Sequence, residues 1–331
     1  MVDAYETVCV TGAGGFAASW IVKLLLSNNY VVHGTVRQPG DSKYDHLNKL
    51  ERSPENLKLF KADLLDYESL RLAISGCSGV FHVASPVPFP TAITDPEAEV
   101  LKPAVEGTLN VLKACVEAKV KRVVVVSSIA AVVKNPNWPK DQVKDERCWS
   151  DPEYVRSTKN WYYLSKTQAE AAALEFGRSS GLDVVTVCPS LIMGPLLQST
   201  LNTSSWLLPM GFKGTRVNLV VSNLQRNVGY NYWTVVDARD LADALLLVYK
   251  KSEAGERYIC TAHAIGVEEV VEKYLKISHP NYNYSPELTH TKEEEEKLSS
   301  EKLERLGWSY RPLGETLIDS IESYQKIRVM D

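Results

Sequence analysis

The stretch TVCVTGAGGFAASWIVKLLLSNN, residues 7 to 29, restricts the fold more than any other. A β-branched run ends at Thr11, the chain turns through Gly12-Ala13-Gly14-Gly15, and an amphipathic segment begins near Ser19. Strand, glycine turn and helix in immediate succession predict the opening unit of a parallel sheet built to hold a dinucleotide. Gly12 permits the tight turn, Gly15 lets the backbone approach a pyrophosphate, and the small Ala18 lets helix and strand pack closely. The N-terminus of the helix adds free N–H groups and a favourable dipole for phosphates.

The rest of the first half repeats the theme. Short apolar runs (YVVHGTVR, LKLFKADL, GVFHVAS, KRVVVVSS) alternate with longer helical ones such as VEGTLNVLKACVEA, which argues for βαβ units. Continuous runs such as VVVVSS suit strands covered on both faces. The expected fold class is therefore α/β, a Rossmann doubly wound parallel sheet. The rhythm continues through WYYLSKTQAEAAALEFGRSSG and LDVVTVCPS, then breaks between residues 195 and 235, where Gly, Pro, Asn, Ser and Trp accumulate. Long irregular stretches in compact domains are commonly functional. Residues 1–190, with about 234–255, are expected to form the cofactor-binding domain. Residues 191–233 and 256–331 are expected to form a smaller C-terminal α/β substrate lobe. The glutamate run in TKEEEEKLSSEKLERLGW reads as a solvated helix face.

Composition excludes several partners. A net charge of −4, with 37 basic and 41 acidic residues intermixed, offers no basic footprint for nucleic acid. No run of 18 uninterrupted apolar residues is present, so no membrane partner is expected. MVDAYETVCV lacks the charged flank and apolar stretch of a signal peptide, making the cytosol the expected address. Six cysteines stand singly with no CxxC pair or nearby histidine at ligand spacing, so reduced buried thiols are expected rather than a metal site or disulfides.

The second strand-like run ends in Arg37, where an NAD-selective site usually carries an acidic residue for the ribose hydroxyls. Arginine there can stack on adenine and pair with a 2′-phosphate, with Lys43 as a second cation, so NADP(H) is the expected cofactor. The alternative for both is a plain surface charge. Asp63, ending the third run, is placed either to meet the adenine amine or to cap a turn.

In KNWYYLSK, Tyr162 and Lys166 are spaced i, i+4 and share a helix face, whereas Tyr163 points about a quarter-turn away. A phenol titrates near pH 10, so as a proton donor or acceptor it benefits from a neighbouring cation. Ser128, closing VVVVSS at the carboxyl edge of the sheet, is the candidate to polarise a carbonyl, with Ser127 in reserve. Asn110 either helps orient this site through a water or satisfies backbone groups.

Together these features resemble the extended short-chain dehydrogenases/reductases, within them the plant cinnamoyl-CoA reductase and dihydroflavonol reductase group. The resemblance covers nearly the whole chain, including FHVASPV, DERCWSD, VCPSLIMGPLL and KLERLGW. It implies hydride transfer from NADPH to a carbonyl carbon, with Tyr162 supplying the proton, Lys166 lowering its pKa and Ser128 holding the oxygen. It also implies cofactor contacts at Gly12, Gly15, Phe16, Arg37, Lys43, Asp63, Leu64, Val83, Ala84, Tyr162, Lys166, Pro189, Ile192 and Ser204.

Departures from the family pattern bear on the substrate. The family's His-x-x-Lys for CoA phosphates aligns with Leu207 and Met210, and its accompanying arginine with Ile265 or Val267. Losing charge-assisted hydrogen bonds of about 1.5–3 kcal/mol each disfavours an anionic CoA tail. Trp206, Leu207, Leu208, Pro209, Met210 and Phe212, with Pro86, Val87, Phe89, Ile129 and Leu191, offer an apolar surround for an aromatic ring. The expected partner is a small aromatic aldehyde or alcohol of the coniferaldehyde type, as in a short-chain cinnamyl alcohol dehydrogenase. A cinnamoyl-CoA thioester, or a dihydroflavonol or tetraketide-pyrone ketone, is the alternative.

Overall fold

A computed structural model describes residues 5–87, 93–201, 232–275 and 297–327. Seven strands form one sheet: β1 (Thr7–Thr11), β2 (Val31–Val36), β3 (Leu57–Lys61), β4 (Gly79–His82), β5 (Arg122–Val126), β6 (Asp183–Pro189) and β9 (Glu256–Cys260). Their order is β3-β2-β1-β4-β5-β6-β9, and every pairing is parallel. The strand order reverses between β1 and β4, which opens a crevice at their carboxyl ends.

Helices cover both faces, as the apolar runs require. The principal ones are α1 (Phe16–Ser27), α2 (Tyr67–Ile74), α3 (Lys102–Glu117), α4 (Trp161–Ser180), α5 (Ala238–Lys250) and α6 (Leu313–Lys326). Alternate residues of each strand serve opposite cores. Val8, Val10, Val124 and Val126 pack with Ile21 and Leu25 of α1 and with Leu241 and Leu245 of α5. Cys9, Val123 and Val125 pack with Leu112 of α3 and Ala173 of α4. Each such side chain, fully buried, contributes about 1.5–3 kcal/mol from apolar transfer.

A second sheet combines β7 (Leu191–Met193), β8 (Tyr232–Asp237) and β10 (His263–Gly266), with β8 parallel to β7 and antiparallel to β10. Helix α6 closes over it through Leu317, Ile321 and Tyr324, which pack with Met193, Trp233 and Ile265.

Two strands cross the boundary drawn from sequence. β9, placed with the substrate lobe, is the outer strand of the large sheet, because its buried run Arg257–Cys260 continues the core beside β6. β8, most of which was placed with the large domain, belongs to the small sheet, where the three-residue β7 gives it a partner. The glutamate run 293–296 lies outside the described residues, whereas Glu301–Arg305 beyond it is helical.

Candidate active site

At the carboxyl edge of the large sheet lies a cleft of about 920 Å³, bordered by the glycine turn, the ends of β2 to β6 and the start of α4. Its phosphate end is set by short-range geometry. Gly12 has φ 67°, a left-handed conformation natural to glycine, and a Cβ there would stand 3.1 Å from Ala84. Gly12 N donates to Thr35 Oγ1 (3.0 Å) and Gly15 N to Gly12 O (2.9 Å), which holds the turn shut.

Gly15 caps α1 without a side-chain bond, no acidic residue occupies the first turn, and Ser19 N is the donor that reaches back to Gly15 O (2.8 Å). The helix therefore presents early N–H groups and its positive end to the cleft. Within the turn Gly14 has the tightest approach: a Cβ would stand 2.2 Å from the ring of Tyr44. The residues present thus fit a dinucleotide, with a bare-backbone cradle where its phosphates would lie.

Arg37, Lys43 and Asp63, expected to meet the adenosine, lie on the cleft wall. Lys43 pairs with Asp41 (2.9 Å) and lies over the Tyr44 ring, 4.9 Å from its centroid. The Asp63 carboxylate accepts from Leu65 N (2.9 Å), so it does cap a turn while also lining the cleft. Phe16, Leu64, Val83, Ala84, Pro189 and Ile192 border the cleft as well. Val83 N and Ala84 N each donate to Thr11 Oγ1 at 3.0 Å, tying the end of β4 to the glycine turn.

The expected catalytic residues Ser128, Tyr162 and Lys166 line the same cleft. The two serines at the end of β5 divide their roles. Ser127 is buried and donates to Glu170 Oε2 (2.7 Å), while Ser128 faces the cleft and hydrogen-bonds the Tyr162 phenol. Ser128 also caps the short helix Ile129–Ala131 by accepting from Ala130 N (3.1 Å), which fixes its rotamer. Tyr162 and Lys166 sit one turn apart near the start of α4. Tyr163 turns into the core beside Ala130, Val132 and Leu164, its ring edge-on to Tyr162 at 6.2 Å.

The electrostatics differ from expectation in one respect. Burial pushes the Tyr162 phenol above its ordinary range, and the opposing pull comes from the Ser128 hydrogen bond. Lys166 does not supply the expected depression here, and its Nζ donates to the carbonyl of Val126 (3.2 Å). Burial lowers the Lys166 amine to about 8, against the pull of the Glu170 carboxylate.

Ser204 and the apolar set from Trp206 to Phe212 lie outside the described residues, as does Phe89. Pro86, Val87, Ile129 and Leu191 do line the cleft. Ile265 does not: it packs inside the small lobe opposite Trp233. Asn110 donates to the carbonyl of Leu64 (3.0 Å), the backbone-satisfying alternative.

Sequence reasoning missed Tyr44, Ser190, Trp233 and Thr234, all on the cleft wall. Ser190 is the most telling, for its buried Oγ has no hydrogen-bond partner among the described residues. An orphaned hydroxyl facing a ligand cleft invites a polar group of the ligand. The six cysteines are buried, and the described residues contain no cluster able to hold a metal ion. No helix among them is long and apolar enough to cross a membrane.

Comparison with known proteins agrees with this fold. Residues 8–260 match the model of the NAD dependent epimerase/dehydratase family. Cinnamoyl-CoA reductase 1 of Petunia hybrida is 43% identical over 323 residues, covering 97% of this chain and 92% of that protein. Among solved structures, vestitone reductase from alfalfa (Medicago sativa) superposes with a TM-score of 0.81 at 34% identity, covering 98% of this chain and 99% of that one. Yeast methylglyoxal/isovaleraldehyde reductase Gre2 complexed with NADPH gives 0.77 at 27% identity, covering 98% of this chain and 100% of that one.

Proposed function

The chain belongs to the NAD dependent epimerase/dehydratase family and is an NADP(H)-dependent oxidoreductase of the phenylpropanoid and flavonoid reductase kind, and on that footing we propose that it reduces a hydroxycinnamaldehyde to its alcohol. The observation that carries this reading is the convergence of Ser128, Tyr162 and Lys166 in one cleft with the glycine turn. NADPH, when bound, supplies a hydride from its nicotinamide.

The chain's own groups do the rest. Arg37 and Lys43 hold the 2′-phosphate, for which Lys43 exchanges its pairing with Asp41. The N-terminus of α1 holds the pyrophosphate. Ser128 and Tyr162 both direct hydroxyls at the substrate oxygen, and the raised phenol stays protonated at neutral pH, ready to donate as the oxygen gains negative charge. Lys166, leaving the Val126 carbonyl for the ribose, then stabilises the phenolate that remains. Ile129, Leu191 and Trp233 exclude water around an aromatic ring.

An uncharged aldehyde is preferred because Leu207 and Met210 supply no charge for CoA phosphates. The second reading, a cinnamoyl-CoA thioester, is favoured by the 43% identity to the Petunia enzyme. Initial rates with coniferaldehyde and feruloyl-CoA, side by side with NADPH, separate the two. A higher kcat/KM for coniferaldehyde is expected, and a clear preference for the thioester reverses the assignment.

A further inference from the structure

One turn beyond Lys166 on α4 stands Glu170, 1% exposed, so Tyr162, Lys166 and Glu170 follow at i, i+4 and i+8 along one face. Its carboxylate is fully engaged by three strands. Oε1 accepts from Thr186 Oγ1 (2.7 Å), Cys188 Sγ (3.2 Å) and Arg257 Nε (2.8 Å). Oε2 accepts from Ser127 Oγ (2.7 Å) and Arg257 Nη2 (3.2 Å).

Arg257, 3% exposed, also donates to the carbonyls of Ala131 (2.9 Å), Glu146 (3.1 Å) and Cys148 (2.6 Å), and lies 3.6 Å over the Trp149 ring. The pair thus joins the end of β5, strands β6 and β9, and the segment following Ser128 to the helix that carries Tyr162. Buried ion pairs are poor sources of stability, because desolvation cancels much of the Coulomb gain. Position beside the reacting groups is the better explanation.

We propose that Glu170, balanced by Arg257, is a positioning residue for the reaction: it fixes the strand end bearing Ser127 and Ser128 against α4 and holds the charge on Lys166. The inference rests on the reading that Lys166 acts as an ammonium toward the ribose and Tyr162. Charged and titratable groups face Lys166 from each packed element. They are Tyr162 and Glu170 on its own helix, Cys188 on β6 and His82 on β4, with Arg257 on β9 behind Glu170. Burial keeps His82 and Cys188 neutral, which leaves the Glu170 carboxylate as the fixed charge that biases the amine. Glu170 favours the ammonium, and Arg257, by neutralising that carboxylate through their ion pair, acts in the opposite sense.

Opposite senses give a test that a purely structural pair fails. In a Tyr162→Phe background, NADPH affinity is measured by fluorescence from about pH 6 to about pH 10. Affinity is expected to fall as Lys166 loses its proton. Glu170→Gln should move that fall to lower pH by about one unit, and Arg257→Gln should move it upward. Arg257→Lys keeps the charge, so the fall should stay in place although thermal stability drops.

If Glu170→Gln and Arg257→Gln both leave the fall where it was while lowering the melting temperature, the pair is structural and the inference is overturned. Should Arg257→Gln not fold, Glu170→Gln against Arg257→Lys decides, equal positions of the fall overturning it. Turnover of coniferaldehyde by the enzyme with Tyr162 intact tests the parent reading separately. Activity lost in Tyr162→Phe alongside unmoved binding profiles sinks the inference alone.

Discussion

The ring of Tyr44 lies against Gly14, occupying the place where a side chain on the turn would begin, with Cδ1 2.2 Å from the position of a Cβ. The glycine turn and the segment after β2 therefore form one surface at the phosphate and ribose end of the cleft. Gly14→Ala should push Tyr44 and the adjacent Lys43 aside and raise the KM for NADPH about tenfold or more, with little change in aldehyde KM. Adding Tyr44→Ala should recover part of the loss, because the methyl then no longer meets the ring. Equal losses in the single and double variants, measured by steady-state kinetics, would show that the ring is not the obstacle.

Tyr162→Phe should lower kcat by at least about 10²-fold while leaving the dissociation constant for NADPH within a few-fold. In the proposed mechanism the phenol donates the proton, whereas the glycine turn, Arg37 and Lys43 hold the cofactor. Ser128→Ala should cost less, since the proton source survives and only one of two donors to the oxygen is lost. Retention of kcat in Tyr162→Phe rules the phenol out as the acid.

Much of this site is local in sequence, and that part was legible. A strand, a glycine turn and a helix are read from adjacent residues, and an i, i+4 spacing places Tyr162 beside Lys166 whatever the helix packs against. Helix α6 was legible too: Leu313, Leu317, Ile321 and Tyr324 repeat at helical spacing, yet the reading stopped before them. Tyr44 and Trp233 were not legible. The first is brought to Gly14 by the return of the chain after β2, the second by pairing of β8 with strands only three and four residues long. Glu170 stood at a visible spacing, but its partner Arg257 lies 87 residues away, and a buried charge cannot be told from a surface one without that partner.

Arg37 is exposed on the cleft wall and is the residue proposed to meet the ribose 2′-phosphate. Arg37→Asp should remove a charge-assisted bond worth about 1.5–3 kcal/mol and add repulsion. The KM for NADPH should rise by about 10- to 100-fold while that for NADH changes little. An equal change for both cofactors would mean that Arg37 meets the shared adenosine rather than the phosphate.

His82 links the cleft to pH-dependent stability. Thr11 Oγ1 receives N–H bonds from Val83 and Ala84, so its own proton goes to His82 Nδ1 (2.9 Å). Nε2 then carries the hydrogen toward Thr108 Oγ1 (3.1 Å), whose proton goes to the carbonyl of Ala104 (2.7 Å). The chain of donors admits one neutral tautomer and has no place for a second ring proton. Burial, reinforced by the Lys166 charge, accordingly lowers His82 from 6.5 to about 3. A folded-state value below the unfolded one means that the unfolded chain takes up the extra proton. The contribution is therefore complete above about pH 6.5 and is lost as the pH falls toward 3, at about 1 kcal/mol per pH unit. In urea titrations between pH 7.5 and 4.5, His82→Gln should be less stable at the upper end, because it loses ring bonds, and should decline less steeply toward the lower. Parallel declines for the two proteins would place the acid sensitivity elsewhere.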